Sequence, residues 1–127
     1  MKIILPGCRP LSWNSIYQSK HWSYRKTYVD DAHAEVYSAL NSMGIAPLSG
    51  KNIIQQRVDI RLTGYYKNRI VDADNLCSKI FLDPLKGILL VDDSPKYVRS
   101  VTTQCEIDKK NPRLEIEIIP IDNLREK

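Results

Sequence analysis

Residues 57–75, RVDIRLTGYYKNRIVDADN, join the clearest strand of the sequence to its densest group of carboxylates. From position 58 to position 62 apolar and polar residues alternate, which is the period of a strand with one buried face. The strand leads towards Asp72 and Asp74, which stand two residues apart with an asparagine directly after them. This segment therefore predicts a strand that delivers paired acidic side chains to its end.

Upstream of this strand, KIILP at residues 2–6 predicts a short first strand that ends at its proline. Residues 7–26 are rich in serine, aromatic and basic residues without a clear period, and we interpret them as a long loop. Apolar residues recur at helical spacing over 27–43, and Gly44 is a plausible stop. The N-terminal part thus predicts one strand, one functional loop and one helix.

Downstream, apolar residues after Asp74 predict a second helix over 75–86, with a kink or two short turns at Pro84. YVRSVTTQCEID and RLEIEIIP predict two final strands. The order β-α-β-α-β-β predicts an α+β fold, a small mixed sheet with two helices packed on it. The chain length of 127 residues suits a single domain spanning 1–127.

Basic residues of the chain are clustered, although its net charge is only +4. Residues 1–29 and 61–71 carry lysines and arginines but no acid, which makes a nucleic-acid backbone a plausible partner; a solvated surface is the alternative. The three cysteines show no metal-binding spacing and indicate a reducing compartment without a disulfide framework. No apolar run approaches membrane-spanning length, so we expect a cytoplasmic protein without a membrane partner.

Two pairs of aspartates define the candidate metal site. In an extended segment Asp72 and Asp74 would face the same side, and two close carboxylates coexist most easily around a cation such as Mg²⁺. A helix over 75–86 would advance roughly 18 Å, and the extended return to Asp93 would cover about 20 Å. The second pair, Asp92 and Asp93, can therefore return beside the first. The alternative is that one pair caps a helix and the other marks a turn.

A calcium loop is excluded as a further alternative for the first pair. The EF-hand pattern requires an oxygen ligand at its fifth position and glycine at its sixth. Counted from Asp72, those positions hold Leu76 and Cys77. The aspartates therefore point to a site of the kind that Mg²⁺ occupies in phosphoryl hydrolysis.

The segment DADNLCSKIFLDPLKGILLVDDSPKYV, residues 72–98, resembles the signature of the RusA-type Holliday junction resolvases: D-x-D-N-L, a helix, and a later D-D pair. RPLSWNSIY, residues 9–17, is similar to the entry segment of that family, and the resemblance extends over most of the chain. It implies a homodimeric endonuclease of DNA recombination and repair, encoded by a bacterium, phage or prophage. Such an enzyme nicks four-way DNA junctions symmetrically with Mg²⁺ or Mn²⁺.

The same resemblance implies roles for single residues. By motif position the catalytic carboxylates would be Asp72, Asp74 and Asp93, with Asp92 as an adjacent metal ligand. The family lysine four residues after the second aspartate is replaced by Ser78, and the following Lys79 is the candidate substitute. This departure keeps two alternatives open: a catalytically impaired DNA-binding or recombination accessory protein, and a nuclease for other branched DNA.

Contacts to the DNA backbone are expected from polar and basic residues in two regions. The residues that flank the acidic motifs are Lys67, Arg69, Lys96 and Arg99, and those of the N-terminal loop are Asn14, Lys20, Arg25 and Lys26. Aromatic residues near them would either stack on unpaired bases or belong to the core. These are Trp13, Tyr17, Trp22, Tyr24, Tyr65 and Tyr66.

Overall fold

The computed structural model of the chain describes residues 1–17, 22–46, 50–68 and 72–121. Its strands and helices are, in chain order, β1 (Lys2–Pro6), α1 (Trp13–Tyr17), α2 (Trp22–Ser42), β2 (Val58–Tyr66), α3 (Lys79–Leu82), β3 (Val98–Ile107) and β4 (Arg113–Pro120). Two 3-10 turns, Ala73–Asn75 and Asp83–Leu85, stand on either side of α3. The predicted α+β class is confirmed. None of the helices described is long and apolar enough to cross a membrane.

The four strands form one mixed sheet in the order β1-β4-β2-β3. The pairs β1–β4 and β4–β2 are antiparallel, whereas β2 and β3 run parallel. A parallel pair requires the chain to cross back over the sheet before it forms the second strand. Residues 67–97 make this crossover, and all the aspartates of the candidate metal site belong to it.

The two faces of the sheet differ because only one of them is covered. Helices α2 and α3 lie over the apolar face, where the strands contribute fully buried side chains such as Ile3, Leu62 and Ile116. The opposite face is polar: Lys2 pairs with Glu115 at 3.2 Å, and Arg61 pairs with Glu117 at 3.4 Å. This alternation is the usual result when a sheet buries one face and exposes the other.

The first helices differ from the sequence prediction at their starts. Helix α2 begins at residue 22 rather than 27, and it ends before Gly44, which has a φ of 77° as expected at a helix stop. Part of the predicted loop is helical, because the Ser12 hydroxyl accepts a hydrogen bond from the Ser15 backbone at 3.0 Å and caps α1. Burial of Ile16 in the core holds that helix in place.

The helix predicted over 75–86 begins later than expected, and α3 extends only over Lys79–Leu82. Leu76 forms a bridge with Ser12, and the Cys77 amide donates to the Leu11 carbonyl at 3.0 Å, so these two residues are held in an extended strap against the N-terminal loop. Pro84 then ends α3 in the second 3-10 turn, as the expected break at proline requires. Gly87 has a φ of 81° and reverses the chain, which confirms its predicted position at the return.

Candidate functional site

The first 3-10 turn carries the first pair of aspartates. Asp72 occupies the position before the turn but makes no side-chain capping bond, and Asp74 lies within the turn. Both are exposed, and within the described residues neither carboxylate has a hydrogen-bond or ion-pair partner. The capping alternative therefore does not account for Asp72.

The premise that both residues belong to an extended segment was wrong. Asp72 has extended dihedral angles (φ −58°, ψ 138°), whereas Ala73–Asn75 form a helical turn stabilised by a 2.8 Å bond from the Asn75 amide to the Asp72 carbonyl. Residues two apart in such a turn do not share a direction as they do in a strand. The placement of this pair depends instead on what the turn packs against.

Strand β3 anchors the turn. The Thr103 hydroxyl donates a hydrogen bond to the Ala73 carbonyl, which lies between the two aspartates. In the parallel ladder Thr103 stands beside Leu62, whose side chain is in the core. Asp72 and Asp74 are thus held at the outer edge of the sheet, on the face that the helices cover.

Asp93 lines a cleft of about 320 Å³ on the same strip of β3. Ser78, Lys79 and Asp83 line the cleft from the α3 side, and Val101 of β3 forms part of its wall. Val101 and Thr103 are two residues apart on one strand, so their side chains share a face and are separated by roughly 7 Å. The first acidic segment is thus hydrogen-bonded to β3 at Thr103, and Asp93 of the second lines a cleft to which Val101 of the same strand contributes.

Lys86 connects Asp93 to the second 3-10 turn. Its Nζ atom lies 3.0 Å from Asp93 Oδ2 and 3.3 Å from Asp83 Oδ1. The hydrogen bond to Asp93 is the largest cause of a raised pKa at Lys86, and the bond to Asp83 adds to it. Sequence reasoning missed this lysine. The available signal was its place three residues after Asp83 and directly before the reversal at Gly87.

The two remaining residues of the acidic motifs have other contacts. Asp92 Oδ1 accepts a 2.7 Å bond from the Ser94 amide, and hydrogen bonds from the Ser94 side chain and backbone lower the pKa of the Asp92 carboxyl. This contact agrees with the alternative given above for the second aspartate pair, namely that the DDSP segment forms a turn. Lys79 lies 3.7 Å from Asp83 Oδ2 and reaches the cleft beside Ser78.

Several of the residues expected to contact DNA make contacts within the chain. Arg25 donates to the Tyr17 carbonyl at 3.3 Å, Lys26 pairs with Asp30 at 2.9 Å, and Arg99 pairs with Asp59 at 2.6 Å. Asn14, Lys67 and Lys96 are exposed. Lys20 and Arg69 lie outside the described residues, as does the side chain of Trp22.

The other aromatic residues divide between the core and the surface. The rings of Trp13 and Tyr17 stack with centroids 5.3 Å apart and pack against the core. Tyr66 is 2% exposed, so its ring belongs to the core. Tyr24 is exposed, and Tyr65 is partly buried.

The site residues suit a hard cation in their chemistry, since Mg²⁺ prefers carboxylate oxygens and keeps several waters. Over the ranges of the chain that the structure describes, no group of three or more His, Cys, Asp or Glu side chains is arranged so that it could hold a metal ion. A magnesium site commonly needs only one or two carboxylates when substrate phosphates complete the coordination. The exposed Asp72 and Asp74 meet that smaller requirement.

Comparison with known proteins gives no further assignment. No protein-family model matches the chain, and no curated protein shows significant similarity to it.

Proposed function

We propose that this chain is a metal-dependent endodeoxyribonuclease that nicks branched DNA, with the four-way junction as its preferred substrate. The observation that carries the proposal is the association of both acidic segments with β3. Ala73, between Asp72 and Asp74, is bonded to Thr103, and Asp93 lines the cleft that contains Val101. Two acidic segments that are distant in sequence are thereby both associated with β3.

Exposed carboxylates are costly beside a polyanion unless a cation accompanies them, because they repel phosphates. Asp72 and Asp74 would hold Mg²⁺ or Mn²⁺ together with a phosphate of the substrate, and Asp93 would approach from the cleft. A bound divalent ion supplies an activated water and stabilises charge on a phosphoryl group. The resemblance of residues 72–98 to the resolvase signature favours this chemistry over other uses of a metal.

The side chains of the cleft would position the DNA. Lys86 holds the Asp93 carboxylate through its 3.0 Å ion pair, so the carboxylate enters the reaction already oriented. Lys79, whose side chain is 56% exposed, would place positive charge against a phosphate at the mouth of the cleft. In this scheme Lys79 takes the role of the family lysine that Ser78 replaces.

Resolution of a four-way junction requires two nicks, and a two-fold dimer would supply two copies of the site. Strand β3 is an edge of the described sheet, and it exposes Val101 and Ile107 on the helix-covered side. Helix α2 is the other candidate interface, because it exposes Tyr24, Tyr28 and Tyr37. We propose a homodimer and leave both surfaces as candidates.

The test is a cleavage assay with the purified chain. A synthetic four-way junction is incubated with Mg²⁺, with Mn²⁺ or with a chelator, beside a flap, a fork and a linear duplex of the same sequence. Paired nicks in the junction that require the metal, with little cutting of the duplex, are the expected result. Cutting of flaps or forks in preference to the junction would shift the substrate to other branched DNA.

A second function is favoured by one observation, the serine at position 78. A chain that has lost catalysis would remain a DNA-binding or recombination accessory protein. Tight binding of the junction without nicks, under every metal condition, would support this function and contradict the first one.

A further inference from the structure

A second cavity, of about 450 Å³, opens away from the acidic cleft, at the end of β2. It is formed by the loop after β1 with Gly7 and Arg9, by residues 65–68, and by Pro112 before β4. Two bonds fix these segments to one another: the Tyr66 hydroxyl donates to the Pro10 carbonyl at 2.8 Å, and the Gly7 amide donates to the Pro112 carbonyl at 3.0 Å. The cavity is therefore part of the folded framework.

The cavity carries two positive charges for which the described part of the chain supplies no carboxylate partner. Within the described residues neither Arg9 nor Lys67 has an ion pair or a side-chain hydrogen bond, and both are exposed. The neighbouring Arg113 is different, since it is paired with Asp108 at 2.9 Å and with Glu115 at 2.6 Å. Two cations that converge on one cavity without carboxylate partners favour an anionic ligand.

The same cavity presents an aromatic ring. Tyr65 lines it, and the Arg113 guanidinium covers one face of that ring at 3.8 Å from the centroid. The guanidinium holds the ring in place, and the ring supplies an aromatic surface in the wall of the cavity. Asn68 adds an amide, which has both donors and an acceptor. Phosphate-binding cations, a stacking surface and an amide are the groups that a nucleotide requires.

The volume fits a ligand of that size, since small-molecule pockets span about 300–1,000 Å³. Lys67 is followed five residues later by Asp72, so a chain segment of at most roughly 17 Å joins the cavity to the acidic turn. A nucleic-acid strand bound at one position can therefore reach the other. This proximity favours a strand over a free nucleotide as the ligand.

We propose that this cavity binds one unpaired nucleotide of a DNA strand, with the phosphate on Arg9 and Lys67 and the base against the ring of Tyr65. The inference rests on the proposed function for the identity of the ligand as DNA. It adds a binding position for a single-stranded nucleotide that is separate from the carboxylates, and it needs no metal.

The experiment measures binding in the presence of a chelator, so that cleavage plays no part. The probes are a fluorescent single-stranded oligothymidylate, a blunt duplex and thymidine monophosphate. The variants are Tyr65→Leu, Arg9→Gln and Lys67→Gln, and Lys51→Gln is the charge-matched control before the opposite end of β2. Circular dichroism checks that each variant is folded. Photocrosslinking with an oligonucleotide containing 5-iododeoxyuridine, followed by peptide mapping, locates the base.

We expect Tyr65→Leu to weaken single-strand binding about tenfold, and each charge variant to reduce the magnitude of the salt slope by about 0.7. The crosslink should map to Tyr65, and the Lys51 control should bind like the unchanged chain. Three results would overturn the proposal: crosslinks only at other residues, equal single-strand binding by all variants, or binding of thymidine monophosphate but not of the oligothymidylate. Single-strand binding at Tyr65 by a chain that does not cut the junction would contradict only the proposed nuclease function. Junction cleavage by the unchanged chain, together with variants that bind single strands as tightly as it does, would contradict only this binding site.

Discussion

Lys86 Nζ lies 3.0 Å from Asp93 Oδ2, and this ion pair joins the second 3-10 turn to the return segment that brings Asp93 to the cleft. The same nitrogen lies 3.3 Å from Asp83 Oδ1. One lysine thus compensates two carboxylates that would otherwise repel each other across the reversal at Gly87. The side chains are partly exposed, so the pair orients Asp93 more than it stabilises the fold.

Replacement of this lysine should separate orientation from stability. We expect Lys86→Met to change the free energy of unfolding by no more than about 1 kcal/mol, because exposed ion pairs contribute little. Junction cleavage should fall by about tenfold or more, since the Asp93 carboxylate loses its fixed position. Urea unfolding and single-turnover cleavage measure the two effects. Lys2→Met, which removes the pair with Glu115 on the polar face of the sheet, is the matched control, and equal cleavage by both variants would contradict the role of Lys86.

The paired aspartates lead to a prediction about binding as well as cleavage. Asp72→Asn and Asp74→Asn should each abolish metal-dependent nicking while junction binding stays equal or becomes tighter, because a negative charge next to phosphate is removed. Gel-shift titration and nicking assays on the same preparations are the measurements. Asp30→Asn on α2 is the control. A variant that nicks at the original rate would remove that aspartate from the site.

The free energy of unfolding should fall in acid, because the Asp59 carboxylate becomes protonated. Hydrogen bonds from Arg99, and then from Ser100, hold the pKa of the Asp59 carboxyl below its ordinary value. Because the folded-state pKa is the lower one, this contribution is present above about pH 4 and is lost as pH falls through the folded-state pKa.

The variant Asp59→Asn should therefore be less stable than the unchanged chain at pH 7, and the difference should shrink in acid. Urea unfolding at several pH values between 7 and 3 measures it, with Asp30→Asn as control. A difference that is the same at every pH would mean that the carboxylate charge is not its source.

A larger residue at position 64 should lower the free energy of unfolding. A Cβ atom built at this position would lie 2.8 Å from Cε2 of the Tyr66 ring and 3.2 Å from Leu76 Cδ1. We expect Gly64→Ala to destabilise the chain by about 1–3 kcal/mol through overpacking. In a Tyr66→Leu background the cost should be smaller, because the ring is gone, and a double-mutant cycle measures this coupling. Equal costs in both backgrounds would show that the ring contact is not responsible.

The assembly prediction uses light scattering. At micromolar concentration the mass should be about twice the chain mass of 14.6 kDa. Ile107→Lys on β3 and Tyr37→Lys on α2 each place a charge on one candidate interface, and the variant that gives a monomer identifies the surface used. A monomer of the unchanged chain that makes paired nicks would contradict the dimer.

The strands could be predicted because alternation of apolar and polar residues is a local signal, as at residues 58–62. The roles of Gly44 and Gly87 could also be predicted, since each stands at the end of an element where a positive φ is needed. The extended conformation at Leu76, which delays the start of the predicted helix, could not be predicted. This conformation depends on pairing with Ser12, more than sixty positions away in sequence, and no local residue indicates this contact.

The sequence named Asp72, Asp74 and Asp93 as candidates, and their role stays a prediction, whereas their surroundings come only from the fold. Asp93 and Asp92 are adjacent in sequence, yet Asp93 lines the cleft and Asp92 is held by Ser94. Lys86 was missed because its partner becomes a neighbour only after the reversal. The parallel pairing of β2 with β3 has no sequence signature either, although it places β3 behind both acidic segments.

Strand β3 is bonded on one side only in the described sheet, whereas β4 lies between two strands. Edge strands open more readily than central ones, so amide hydrogens of β3 should exchange with solvent sooner than those of β4. The wall of the acidic cleft and the anchor of the first 3-10 turn would then share a weakly protected edge of the sheet. A bound DNA strand that spans Val101 and Thr103 should slow exchange there first, and exchange at β4 should change little.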